Sequence, residues 1–126
     1  MKYTLGILLI LILSCSTKEE QINKNLIYFK DSFLSELGND NYEKWLAKTK
    51  QKINAQYIDD LIIVTNYVEI NACGNYVGDI RIKNDRIYLI YKLMSDEICT
   101  STAIGKVTYI ISNPKEKKYK FEMEYK

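Results

Sequence analysis

The sequence predicts an α+β fold, in which N-terminal helices pack on a five-stranded antiparallel meander sheet. Two patterns support this prediction. Apolar residues recur at helical spacing soon after residue 21, and alternating β-branched and aromatic residues fill the chain from residue 60 onward. A small antiparallel β-barrel that keeps the N-terminal helices is the alternative arrangement of the same strands.

Two amphipathic helices are expected before residue 54. The apolar side of the first helix has steps of four and three residues: Ile22, Leu26, Phe29, Phe33 and Leu37. Gly38 is expected to end this helix in the left-handed conformation. Asp40 and Glu43 have the spacing of a capping box, which predicts that a second helix begins here with Asp40 as its N-cap.

Strand-like segments follow in close succession. The five predicted strands span residues 60–73, 76–83, 86–94, 103–112 and 118–125. The Asn84-Asp85 turn joins the second and third strands, and pairing residue 83 with residue 86 places Ile82 opposite Ile87. The fifth strand alternates cleanly and is expected to pair with the fourth.

The composition restricts the chemistry. Eighteen basic and sixteen acidic residues give a net charge of +2, so no nucleic-acid partner is expected. The chain has no His, which removes Ser-His-Asp and Cys-His catalysis and the usual zinc sites. No cofactor or metal is expected, because the adjacent acids Asp96 and Glu97 fall short of the six to eight oxygen ligands of Ca²⁺. The protein is therefore not expected to be an enzyme; a small hydrolase using these carboxylates is the alternative.

The first fourteen residues have the pattern of an export signal. Lys2 precedes an apolar run from Thr4 to Leu13, followed by Ser14. Ten residues rise about 15 Å as a helix, whereas a bilayer core of roughly 30 Å needs about 20 residues. The segment is therefore predicted to target the chain rather than to span the membrane.

Ile12-Leu13-Ser14-Cys15 resembles the lipobox of bacterial lipoproteins. The resemblance implies diacylglycerol transfer to the Cys15 sulfur, cleavage between Ser14 and Cys15, and acylation of the new amino group with a chain such as palmitate. It also implies a signal peptide at 1–14, a lipidated tether at 15–21 and a single α+β domain at 22–126. The membrane partner is then reached through the lipid on Cys15, with the outer membrane, on its periplasmic or surface face, as the expected location.

The residues after the lipobox allow two interpretations. Lys18, Glu19 and Glu20 resemble the surface-export signal of Bacteroidota-type lipoproteins. A solvated tether is the alternative, because polar residues of mixed charge bury little apolar surface.

Cys73 and Cys99 are the two cysteines that remain if Cys15 carries the lipid. An exported protein with two thiols most simply forms one disulfide. The predicted meander brings both residues to one edge of the sheet, within reach of each other.

The loops at this bridged end form the candidate recognition surface. Its polar residues are Asn71, Asn75, Ser95, Asp96, Glu97, Thr100 and Ser101. Solvated turn residues are the simpler interpretation of the same set. The function expected from these observations is that of a lipid-anchored binding or inhibitory module of the cell envelope, with a protein or glycan partner.

Overall fold

A computed structural model describes residues 21–94 and 96–126 of the protein. The predicted signal peptide, the predicted lipid site at Cys15, the Lys18-Glu19-Glu20 stretch and Ser95 lie outside the described residues. Within these residues the elements are β1 (Leu26–Glu36), α1 (Tyr42–Lys48), β2 (Asn54–Ile58), β3 (Leu61–Asn71), β4 (Tyr76–Lys83), β5 (Arg86–Leu93), β6 (Thr102–Ser112) and β7 (Lys120–Tyr125). No helix in this part of the chain has the length and apolar character needed to cross a membrane.

The strands form two sheets that enclose one core. The first sheet has the order β1-β6-β3-β2 and is antiparallel throughout. The second has the order β4-β5-β7; β4 and β5 are antiparallel, and β7 runs parallel to β5. The fully buried core residues come from both sheets: Ile62, Val64, Ile87, Leu89, Ala103, Tyr109 and Ile111.

The predicted α+β fold with N-terminal helices on a five-stranded meander is therefore wrong, and so is its barrel alternative with the same helices. The described part of the chain is mostly β, with one short helix. The predicted first helix is strand β1, whose pairing with β6 contains two irregularities. One of them lies between Leu26 and Tyr28, where the extra residue Ile27 lets Leu26 and Phe29 oppose Ile111 and Tyr109 on the same face. A bulged strand thus reproduces the three-residue step of a helix.

The second predicted helix exists in shortened form as α1. Its N-cap is Asn41 rather than Asp40, and no side chain caps the first turn. Tyr42 is buried against the first sheet, while Gly38 has a φ of 99° at the end of β1 rather than at the end of a helix. The helix packs on the outer face of the sheet, away from the core between the sheets.

The β4-β5 hairpin is confirmed residue by residue. Lys83 pairs with Arg86 and Ile82 with Ile87, and Asn84 takes the positive φ of 56° that the tight turn needs. The other predicted pairings are wrong: β3 lies beside β6 and β2 rather than β4, and β7 pairs with β5 rather than β6. The chain therefore changes sheet between Ser112 and Lys120.

Candidate functional site

The two sheets leave an opening between β3 and β7. Strand β2 pairs with β3 only from Leu61 to Thr65, so among the described residues no strand lies beside the outer edge of β3 beyond residue 65. Strand β7 is the last strand of its sheet, and no other strand of the described part of the chain lies along its outer edge. We call the space between residues 66–71 of β3 and residues 121–125 of β7 the open seam.

The hydrogen bonds of β3 show which backbone groups face this seam. The N–H of Ala72 donates to the carbonyl of Ser101 at 3.0 Å. Because hydrogen-bonded residues alternate along an antiparallel strand, the even-numbered residues of β3 are the ones that bond to β6. The N–H and C=O groups of odd-numbered residues point the other way. At Leu61, Ile63 and Thr65 these outward groups meet β2; at Tyr67 and Glu69 they meet no partner among the described residues.

Strand β7 also has backbone N–H and C=O groups that face the seam. Lys120 donates its N–H to the Asp85 carbonyl at 2.8 Å, and Lys126 donates its N–H to the Tyr91 carbonyl at 3.0 Å. Even-numbered residues therefore bond to β5. The N–H and C=O groups of Phe121, Met123 and Tyr125 face the seam and have no hydrogen-bond partner within residues 21–94 and 96–126.

The two ends of the seam are closed. At one end, the hydroxyl of Tyr57 accepts the N–H of Tyr119 at 3.0 Å and lies 3.4 Å from its carbonyl oxygen. At the other, the Tyr76 hydroxyl accepts the N–H of Asn71 at 2.8 Å, while the Asn71 carbonyl accepts the N–H of Gly74 at 3.1 Å. Only the middle of the seam has unpaired backbone groups among the described residues.

A groove of about 820 Å³ lies under the seam. Three tyrosines form its aromatic wall: the ring centroids of Tyr76 and Tyr91 are 6.1 Å apart, and those of Tyr91 and Tyr125 are 5.2 Å apart. Burial raises the pKa of Tyr91 above its ordinary value, and the neighbouring Tyr76 and Tyr125 raise it further. Burial also raises the pKa of Tyr76, partly offset by the Asn71 N–H bond. The phenols of Tyr76 and Tyr91 are therefore neutral at physiological pH and can both donate and accept hydrogen bonds.

The groove has two asparagines, and the side chain of Asn66, unlike that of Asn71, has no hydrogen-bond partner among the described residues. It is only 8 % exposed and shares the inward face of β3 with the buried Val64 and Val68. Its side-chain amide makes no hydrogen bond within the described residues, and its polar atoms are not closed off from the solvent of the groove. The amide can therefore donate to and accept from a ligand in the groove.

The outer rim of the seam is basic and aromatic. The Lys48 ammonium lies 5.8 Å from the ring centroid of Tyr67, and the Trp45 and Tyr67 ring centroids are 5.9 Å apart. Lys106 lies opposite Tyr67 on the neighbouring strand. Glu69 is the acidic residue of this part of the edge.

A second groove, of about 420 Å³, lies at the other junction of the sheets, between β1 and β4. The first described residues run along it: Ile22 lines the groove, and the N–H of Asn23 donates to the Asp79 carboxylate at 2.8 Å. The first described residues therefore lie at this junction and not at the open seam.

The predicted disulfide between Cys73 and Cys99 is confirmed, with a Cα–Cα distance of 5.6 Å. Its structural basis differs from the predicted meander. Asn71 pairs with Thr102, so the bridge follows the end of the β3-β6 ladder rather than joining β3 to the end of β5.

Asn71, the first residue of the predicted recognition surface, holds this end together. Its side-chain oxygen accepts the N–H groups of Cys73 at 3.0 Å and Cys99 at 3.1 Å, while its amide nitrogen donates to the Cys99 carbonyl. These bonds occupy both acceptor positions of the side-chain oxygen. The side chain therefore has a structural position, although Asn71 also borders the groove.

The other residues of the predicted surface lie on the loops around the bridge. Asn75, Asp96, Glu97 and Thr100 are exposed, and Ser101 is half-buried with its carbonyl in the β3-β6 ladder. Within the described residues no three His, Cys, Asp or Glu side chains come together in a way that could hold a metal ion.

The groove residues were missed as a site, although one signal was present. Asn66 interrupts the inward row Ile62, Val64, Val68 and Ile70, and a single amide in an apolar row indicates a buried polar contact. The sequence has no comparable signal for the unpaired edges of β3 and β7, because these edges depend on which strands become neighbours in the folded sheets.

Comparison with known protein families, curated proteins and solved structures finds no match to this chain. The site is therefore interpreted from its own geometry: a small disulfide-bonded β domain with an open, tyrosine-lined seam.

Proposed function

We propose that the protein is a lipid-anchored binding module of the cell envelope, and that it takes its ligand in the groove under the open seam. The unpaired amide of Asn66 carries this proposal. It lies among tyrosines in an accessible groove, and a few polar groups on a largely apolar wall are typical of ligand sites. Its donor and acceptor are unpaired among the described residues and can bond a polar group of the ligand.

The lipid anchor rests on the lipobox resemblance of Ile12 to Cys15. Two or three acyl chains, at about 0.8 kcal/mol per buried methylene, hold a protein on a membrane where one chain does so only marginally. The tether from Cys15 to Gln21 spans at most about 22 Å when extended, so the domain would work close to the bilayer.

Metabolic labelling tests the anchor. Cells expressing the full chain are fed an alkyne analogue of palmitate, and the labelled protein is followed through membrane fractionation. The parent should carry the label and sediment with membranes, and Cys15→Ala should do neither. Equal behaviour of the two chains would contradict lipidation at Cys15.

Site-specific photo-crosslinking tests the binding groove. A benzophenone amino acid replaces Tyr125 at the seam or, as a matched control, Tyr88 on the outer face of the second sheet, where it stacks with Arg81 at 4.0 Å. Irradiation of cells should give a discrete adduct at position 125 and none at position 88. Asn66→Leu in the same chain should remove the adduct. The absence of any adduct at position 125 would overturn the binding proposal.

A further inference from the structure

We propose that the open seam accepts an extended peptide segment of a partner protein, which adds a strand between β3 and β7. This inference deepens the proposed binding function and rests on it. Its basis is the set of residues whose backbone N–H and C=O groups face the seam unpaired among the described residues: Tyr67, Glu69, Phe121, Met123 and Tyr125.

The repeat of these groups fits a polypeptide. Residues two apart along a strand present a donor and an acceptor about every 6.8 Å, which is the repeat of a paired strand. An extended peptide supplies both kinds of group at this interval along both of its edges. It can therefore bond to Tyr67 and Glu69 on one side and to Met123 and Tyr125 on the other, continuing the line of β2 along β3.

The residues of the groove and of the rim indicate which side chains such a peptide segment would carry. Alternate residues would point into the groove, where the tyrosines and Met123 favour apolar groups and Asn66 favours one amide or hydroxyl. The residues between them would point outward to the rim, where Lys48 and Lys106 flank Tyr67. The matching chemistry is an alternating segment with apolar residues inward and a carboxylate outward near Tyr67.

The chain's own tether is a poorer occupant. Residues 22 and 23 are fixed at the β1-β4 junction through the contacts of Ile22 and the Asn23 hydrogen bond to Asp79. These contacts lie at the junction of the two sheets opposite the open seam.

Selection from a random peptide library tests the inference. The full chain, purified in a mild detergent, is screened against displayed twelve-residue peptides, and enriched peptides are synthesised. Glu69→Pro removes the outward N–H without breaking a bond to β6, and proline is tolerated at such an edge position. Glu69→Ala is the matched control, because it removes the same side chain and keeps the N–H.

Three results are expected. Enriched peptides alternate apolar and polar residues; Glu69→Pro weakens their binding by about tenfold or more, while Glu69→Ala stays within about threefold. In hydrogen–deuterium exchange, bound peptide slows exchange in the segments 66–70 and 121–126. Unchanged thermal unfolding temperatures of both variants show that the loss is local.

Three results would overturn strand addition by a partner peptide. They are the absence of any enriched peptide, equal binding by the two Glu69 variants, and binding without slower exchange at the edges of β3 and β7. Self-association of the parent that Glu69→Pro abolishes would assign the seam to a second copy instead. A glycan or small-molecule adduct at position 125 in the crosslinking experiment would support the binding function but contradict a peptide ligand. Failure of the peptide inference can therefore be distinguished from failure of the proposed binding function.

Discussion

The ring of Phe29 occupies the space that a Cβ atom at Gly78 would need. The contact joins β1 to β4, the edge strands of the two sheets at the junction opposite the open seam. Tyr109 holds the Phe29 ring in place, with the ring centroids 5.0 Å apart. Glycine is thus required at position 78 for close approach of the sheets, at a site where its φ is not positive.

Gly78→Ala is expected to destabilise the domain by about 1–3 kcal/mol, because the added methyl must displace a ring that is packed on both sides. Urea unfolding measures this difference. Gly74→Ala is the matched control, since its Cβ would lie nearest the movable end of the Leu93 side chain at 2.6 Å and would meet the Tyr76 ring only at 3.1 Å. Equal losses in both variants would show that the Phe29 contact does not set the cost.

The sequence predicts those features of the fold that depend on neighbouring residues. The Asn84-Asp85 turn determines the β4-β5 register, and the bounds of β4 match the prediction. Strand β1 was misread because helical spacing and a bulged strand place Leu26, Phe29 and Phe33 in the same sequence positions. Periodicity alone does not separate the two.

Pairings between distant strands were not predictable. In β7 the inward row of Phe121 and Met123 is compatible with an antiparallel partner in β6 and equally with the parallel partner β5. The open seam depends on the pairing of β7 with β5, because this pairing makes β7 the edge strand that faces β3. The disulfide was predictable because the number of cysteines and the pattern of a predicted export signal can both be taken from the sequence.

Asn71→Ala is expected to cost roughly 2–3 kcal/mol of folding free energy, because the N–H groups of Cys73 and Cys99 lose their acceptor. Asn75→Ala is the matched control: its side chain is exposed, the carbonyl that accepts the Met94 N–H is retained, and the change should stay within about 0.5 kcal/mol. Chemical unfolding of the oxidised protein measures both. Similar values would place Asn71 among the solvated loop residues.

The alkaline limit of stability should depend on Tyr109. Its hydroxyl is buried and donates to the Ile90 carbonyl at 2.8 Å, and burial, with a smaller contribution from Tyr91, raises its pKa above the ordinary value. The folded state therefore keeps a proton that the unfolded chain loses above about pH 10. Stability from this group is fully present below that pH and is lost as the pH rises.

Tyr109→Phe removes this dependence. Above about pH 10 the free energy of unfolding should fall less steeply than in the parent, by about 1.4 kcal/mol per pH unit. At neutral pH the variant should lose about 1 kcal/mol, because the Ile90 carbonyl loses its donor. Urea unfolding between pH 8 and about 11.5 measures both effects. Parallel pH profiles would show that another group sets the alkaline limit.

Two asparagines of low exposure should respond differently to the same substitution. Asn113 is 4 % exposed, donates to the Lys117 carbonyl at 3.0 Å and accepts the Lys117 N–H at 3.2 Å, so Asn113→Leu should lose about 2–3 kcal/mol. Asn66 has no hydrogen-bond partner among the described residues and faces the apolar wall of the groove. Asn66→Leu removes no such bond, so it should change the free energy of unfolding by less than about 0.5 kcal/mol while ligand binding is lost. Urea unfolding of both variants measures the difference, and a loss at position 66 as large as at position 113 would mean that the Asn66 amide serves the fold rather than a ligand.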